Sequence, residues 1–161
     1  MHFDPLTDYG QHNLRDADHL LKWNFSELIK TLITLAADPE RQMDIIGESE
    51  NPGEEMVLDF ESFYDLSAKK YIQAKLIRFD QAEQLDELGA MVARLDEESF
   101  SSDSVFDDEV WTEIRNKSNH ILQSLGMDDL DLKIEESEKE EEKPGGEKRH
   151  AIHRRRVIVR K

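Results

Sequence analysis

The sequence predicts an all-α fold, an antiparallel helical bundle of four longer helices and one short helix with a flexible charged C-terminal tail. Three observations lead there. Apolar residues recur at three- and four-residue steps through most of residues 14–126, short breaker-rich segments separate those stretches, and strand-like alternation is confined to the last thirty or so positions.

The first helix is expected from about Leu14 to Ala37. Leu14, Ala17, Leu21, Phe25, Leu28, Leu32 and Leu35 line one stripe, widened by Leu20, Ile29, Ile33 and Ala36. Asn13 is the candidate N-cap, with Asp16 and Asp18 placed to complement the helix dipole. Asp38-Pro39 ends this helix, because a residue before proline is pushed out of the α region. The same pair can open a short helix packed through Met43, Ile45 and Ile46 and stopped by Gly47. Residues 47–55, GESENPGEE, read as loop.

A helix near 59–78 follows, its core side marked by Phe60, Phe63, Tyr64, Tyr71 and Ile72. Another is expected near 80–97, started by the capping pattern Asp80-Gln81-Ala82-Glu83 and carrying Leu85, Leu88, Val92 and Leu95 inward. Residues 98–104 read as a linker. The last helix is expected from Val105 to Leu125, with Ser104 as cap, Val110, Ile114, Ile121 and Leu125 on one face and Gly126 as its stop.

The domain reading is an acidic bundle over 1–127 and a charged, largely disordered tail over 128–161, acidic in 128–143 and basic in 144–161. Residues 1–127 hold 27 acids and 11 Lys+Arg, a net charge of −16. The two tail halves carry −6 and +6 and cancel. Residues 135–149 lack apolar side chains and are expected to be disordered. Two short pieces, Leu130–Ile134 and Val157–Val159, alternate or are β-branched and can pair with each other or with the body. The opposite charges lead to a specific expectation: residues 154–161 dock, at least transiently, on the acidic body or on residues 129–135, the alternative being a tail that stays solvated.

Composition also limits function. The chain has no cysteine, which removes disulfide and thiol chemistry and suits a reducing, cytoplasmic setting. No apolar run approaches the ~20 residues of a membrane span, and the N-terminal stretch lacks the pattern of a secretory signal, so no membrane partner is expected. An acidic body repels a phosphate backbone, so nucleic acid is an unlikely partner except through the basic tail (Arg154, Arg155, Arg156, Arg160 and Lys161). It attracts a basic protein by long-range steering. No metal or cofactor is expected. The histidines His12, His19, His120, His150 and His153 do not form the ligand sets that metal sites use, and no phosphate-binding glycine loop is present.

Two family resemblances follow from short runs of residues. The spacing of Tyr71-Ile72, Leu76–Gln81, Leu85 and Leu88, followed by Trp111–Arg115 and Ile121-Leu122, looks like that of small acidic helical immunity-type proteins of bacterial toxin systems. That resemblance implies a non-enzymatic protein that holds a basic toxin. The run Arg115-Asn116-Lys117-Ser118-Asn119-His120 resembles the signature of the HEPN helical-bundle superfamily. That second resemblance implies a metal-independent ribonuclease, or a degenerate relative, in which Arg115, Asn116 and His120 form the site. The arginine would stabilise phosphate charge and the histidine would handle a proton. In the other reading of these residues, Arg115 pairs with a nearby acid such as Asp108, or with one on an adjacent helix. The first resemblance is preferred, which makes the chain a cytoplasmic interaction protein that binds a basic partner through its acidic surface.

Overall fold

A computed structural model describes residues 1–10, 15–142 and 149–161. Among the described residues, seven α-helices are followed along the chain by a two-stranded antiparallel sheet. Helix α1, Ala17–Ala36, runs through the centre. Its Phe25, Leu28, Ile29, Leu32 and Leu35 are almost completely buried, and it packs against the helices α3, Pro52–Tyr64, and α7, Glu109–Leu125. Asp16 caps it by accepting from the Asp18 amide at 3.0 Å, while the expected cap, Asn13, lies outside the described residues. Asp38 then caps α2, Pro39–Ile46, by accepting from the Arg41 amide at 2.9 Å, and Gly47 ends it at φ 81°.

The next boundaries differ from those read off the sequence. Helix α3 spans Pro52–Tyr64, so residues 52–55 are helical rather than loop. Proline is well suited to the first helical turn, and Glu54 and Glu55 complement the dipole there. The expected helix over 59–78 breaks instead at Asp65–Ser67. A short α4, Ala68–Gln73, follows, and Lys75 at φ 60° turns the chain toward α5, Phe79–Ala93. The start of α5 is fixed by Gln81, whose side chain accepts from the Arg78 amide at 2.7 Å, and not by an Asp80 cap. Asp80 pairs with Arg78 at 3.0 Å.

The expected linker after α5 contains a 3₁₀ turn, Glu97–Phe100, and helix α6, Ser102–Asp107, capped by Ser101 rather than by Ser104. The expected helix over 105–125 is therefore divided at Asp108, and α7 spans Glu109–Leu125. Gly126 stops it in the left-handed region at φ 71°, as its position predicts.

The main correction concerns the C-terminal segment: the fold is mostly α but not all-α. Strand β1, Asp131–Glu142, pairs with β2, Arg149–Arg160. Residues 135–142, read from composition as disordered, lie in β1, and 143–148 lie outside the described residues. Register explains the pairing. Leu132 faces Val159 and Ile134 faces Val157, while Glu135 and Glu136 face Arg156 and Arg155. Apolar pairs and opposite charges thus sit directly across the ladder, the arrangement that stabilises a strand pair. Leu132 is fully buried in the helical core, which supplies the packing a lone hairpin lacks.

The expected docking of residues 154–161 matches this geometry. Arg160 lies 3.5 Å from Asp131 and Lys161 lies 3.9 Å from Asp129. On the body, Arg156 pairs with Asp8, and Arg155 donates to the carbonyls of Asp44 and Ile45 at the end of α2, the latter at 2.5 Å. None of the helices is long and apolar enough to cross a membrane among the described residues.

Candidate functional site

Arg115, Asn116 and His120 all lie on α7, where a separation of five residues places Arg115 and His120 about 140° apart around the axis. Asn116 and His120 are exposed, and Arg115 is half-buried and turned inward. Its guanidinium donates to Gln42 Oε1 from Nε at 3.3 Å and from Nη2 at 3.2 Å, and also to the Val105 carbonyl. The Gln42 amide group, fully buried, donates in turn to the Thr34 and Leu35 carbonyls at 3.1 and 3.2 Å. Arg115 therefore joins α7, α6, α2 and the C-terminal end of α1. Burial lowers its pKa, and Asp38 acts in the opposite direction; an arginine remains charged in either case. Its partners are an amide and a carbonyl, not Asp108.

The histidine readings are similarly local. His19 Nε2 lies 2.8 Å from the Tyr9 carbonyl, and its ring packs edge-on against Tyr9. His12 lies outside the described residues. No group of three metal-ligating side chains gathers among the described residues.

The body's charge is concentrated in a way that total counts hide. Residues 42–68 contain eight acids and no Lys or Arg, and residues 95–114 contain another eight acids and no Lys or Arg. The fold brings the two segments together. Gly53 in the first turn of α3 lies so close to Trp111 and Phe100 that an added Cβ would come within 2.7 Å of the indole. The Trp111 Nε1 donates to the Ser99 carbonyl at 2.9 Å. All sixteen carboxylates of the two segments belong to exposed residues, including Glu48, Glu50 and Glu54 on one segment and Glu97, Asp103, Asp107 and Glu109 on the other. Leu58 and Phe106, large and exposed, stand among them. Counting bases along a sliding window would reveal this surface in the sequence. Helix-by-helix pattern reading passes over it.

Beside this acidic region, α1, α2, α3 and the hairpin enclose a cleft of about 340 Å³. Ile45, Ile46, Met56, Phe63, Leu132 and Val157 give it an apolar lining, and Glu27, Lys30, Glu55 and Asp59 supply its charges. Lys30 is paired with Glu27 at 3.0 Å. The hydroxyls of Thr31 and Thr34, also in the lining, donate to the carbonyls of Glu27 and Lys30 in their own helix. Asp59 is solvent-reached on its outer side. Partial burial, reinforced by the charges of Glu27 and Glu55, raises its carboxyl above the usual range.

Comparison with family models, with curated proteins and with solved structures gives no match to this chain.

Proposed function

We propose that the chain is a non-enzymatic interaction protein that holds a basic protein partner against its acidic helical body. The observation that carries this reading is the joined pair of segments 42–68 and 95–114, with sixteen exposed acids and no Lys or Arg. A surface of one sign focuses the field and raises the encounter rate of an oppositely charged partner. Leu58 and Phe106 provide apolar contact area within it, which charge alone lacks. The resemblance in helix spacing to immunity-type proteins supports the finer reading that the partner is a basic toxin. The inward bonding of Arg115 favours binding over catalysis, because its donors serve Gln42 and Val105.

The test is association of an arginine-rich peptide followed by stopped flow across a range of ionic strength. The on-rate should fall steeply as the Debye length shrinks from ~10 Å at 0.1 M to ~3 Å at 1 M. An on-rate indifferent to salt would remove the acidic surface from the binding step.

A further inference from the structure

We infer that the apolar cleft between α1, α2, α3 and the hairpin receives a long basic side chain, arginine or lysine, from the protein partner. This rests on the reading above and gives it an anchor point.

The lining is mainly aliphatic, and aliphatic surface alone would suit an apolar ligand. The charges at the cleft change that assignment. Three carboxylates, Glu27, Glu55 and Asp59, stand against one cation, Lys30, which Glu27 already engages at 3.0 Å. Glu55 and Asp59 have no ion-pair partner among the described residues. Lys30 is also the only lysine or arginine lining the cleft among the described residues. A side chain with an apolar stem and a cationic head fits both features, since such residues lay their methylenes on apolar surface and keep the charge among polar groups. Neither a neutral apolar group nor a carboxylate meets both.

The chain provides its own example next door. Arg155 on β2 reaches the α2 carbonyls of Asp44 and Ile45, and Ile45 also lines the cleft. The end of α2 thus already accepts one guanidinium, as helix C-termini favour. The cleft is lined from Ile45 and Ile46 at the end of α2 to Glu55, Met56 and Asp59 on α3, and Glu55 and Asp59 belong to the acidic segment 42–68, so a basic segment crossing the acidic surface can place one side chain inward.

Octa-arginine at low ionic strength is a suitable probe, with affinity read by fluorescence anisotropy and location by methyl and amide NMR. Methyl signals of Ile45, Ile46 and Met56 should shift on binding. The double variant Glu55→Gln/Asp59→Asn should weaken binding about fivefold or more, while Glu97→Gln/Asp103→Asn, equal in charge but not lining the cleft, should weaken it about twofold or less. Circular dichroism and urea midpoints of both variants establish that each is folded, as expected for exposed helix and turn positions. If octa-arginine binds but both doubles weaken it equally and the cleft methyls stay still, the cleft assignment is overturned and the acidic-surface reading stands. If octa-arginine does not bind at all, both are overturned.

Discussion

Arg115 shows how one residue can carry a recognisable spacing and still be occupied by the fold. Its guanidinium supplies the hydrogen bonds that satisfy Gln42 Oε1 and the Val105 carbonyl. Arg115→Ala leaves those acceptors without a donor, and an unsatisfied buried polar group costs about 1–3 kcal/mol. A matching fall in urea midpoint stability is the expected result, with Arg115→Lys only partly restoring it, because an ammonium lacks the planar fork. Asn116→Ala and His120→Ala, both at exposed positions, should stay within about 0.5 kcal/mol of the parent. Ribonuclease activity abolished by His120→Ala in a folded protein would instead favour the HEPN resemblance. The spacing from Arg115 to His120 was legible in the sequence. The partner of Arg115 was not, because Gln42 lies 73 residues away and no local rule joins them. Asp59 is a second case with a signed consequence. Its pKa is higher folded than unfolded, so the folded state holds the proton more tightly, and stability falls as pH rises from the unfolded value of 3.8. Asp59→Asn should therefore stabilise at neutral pH, by no more than about 1 kcal/mol because solvent screens the site. The gain should vanish at a pH below 3.8, where the carboxyl is protonated in both states. Thermal melts at the two pH values check both parts.

At the scale of elements, boundaries were readable where a single residue enforces them. Pro39 and Gly47 delimit α2, and Gly126 ends α7, each at the expected position. Boundaries that depend on packing were missed. The turn at Asp65–Ser67 and the division of 105–125 at Asp108 interrupt stretches whose periodicity continues across them. The start of α3 was missed for a related reason. PGEE carries loop residues, but its Gly53 is needed where Phe100 and Trp111 press on the helix. Gly53→Ala tests this. In an open helix the change would help by roughly 0.5–1 kcal/mol. Here the new Cβ meets the indole at 2.7 Å and the Phe100 backbone at 2.9 Å. Overpacking of this kind costs about 1–3 kcal/mol, so the net sign should be destabilising, as read from chemical denaturation. The hairpin was half legible: the two β-branched or alternating pieces were visible, and so was their charge complementarity. Composition hid the strands between them, since residues 135–142 offer no apolar side chain and take their order from cross-strand pairing.

For the whole molecule, the acidic surface has opposite consequences for folding and for binding. The described ion pairs involving residues of the helical body are few, and each side chain in them keeps a fifth or more of its surface in solvent, so such pairs are individually weak, about 0–1 kcal/mol each. They leave most of a −16 body repelling itself. Self-repulsion of that size destabilises the compact state, and screening relieves it. Added salt should therefore raise the melting temperature of the isolated chain, even though it weakens the Arg155–Glu136 and Arg160–Asp131 contacts of the hairpin. The repulsion should dominate because it sums over many like charges, whereas each hairpin contact is a single exposed pair. The same salt should slow association with an arginine-rich peptide, because it screens the attraction that steers the encounter. Bound peptide, by neutralising the acidic face, should itself raise the melting temperature at low salt, and that increment should shrink as salt is added. Differential scanning calorimetry with sodium chloride and then with peptide separates these effects. A melting temperature that falls with salt would mean that the hairpin's attractive pairs outweigh the repulsion of the body. The acidic surface would then be held in check by the fold's own basic strand, and a partner would have to displace Arg155 and Arg156 to reach it.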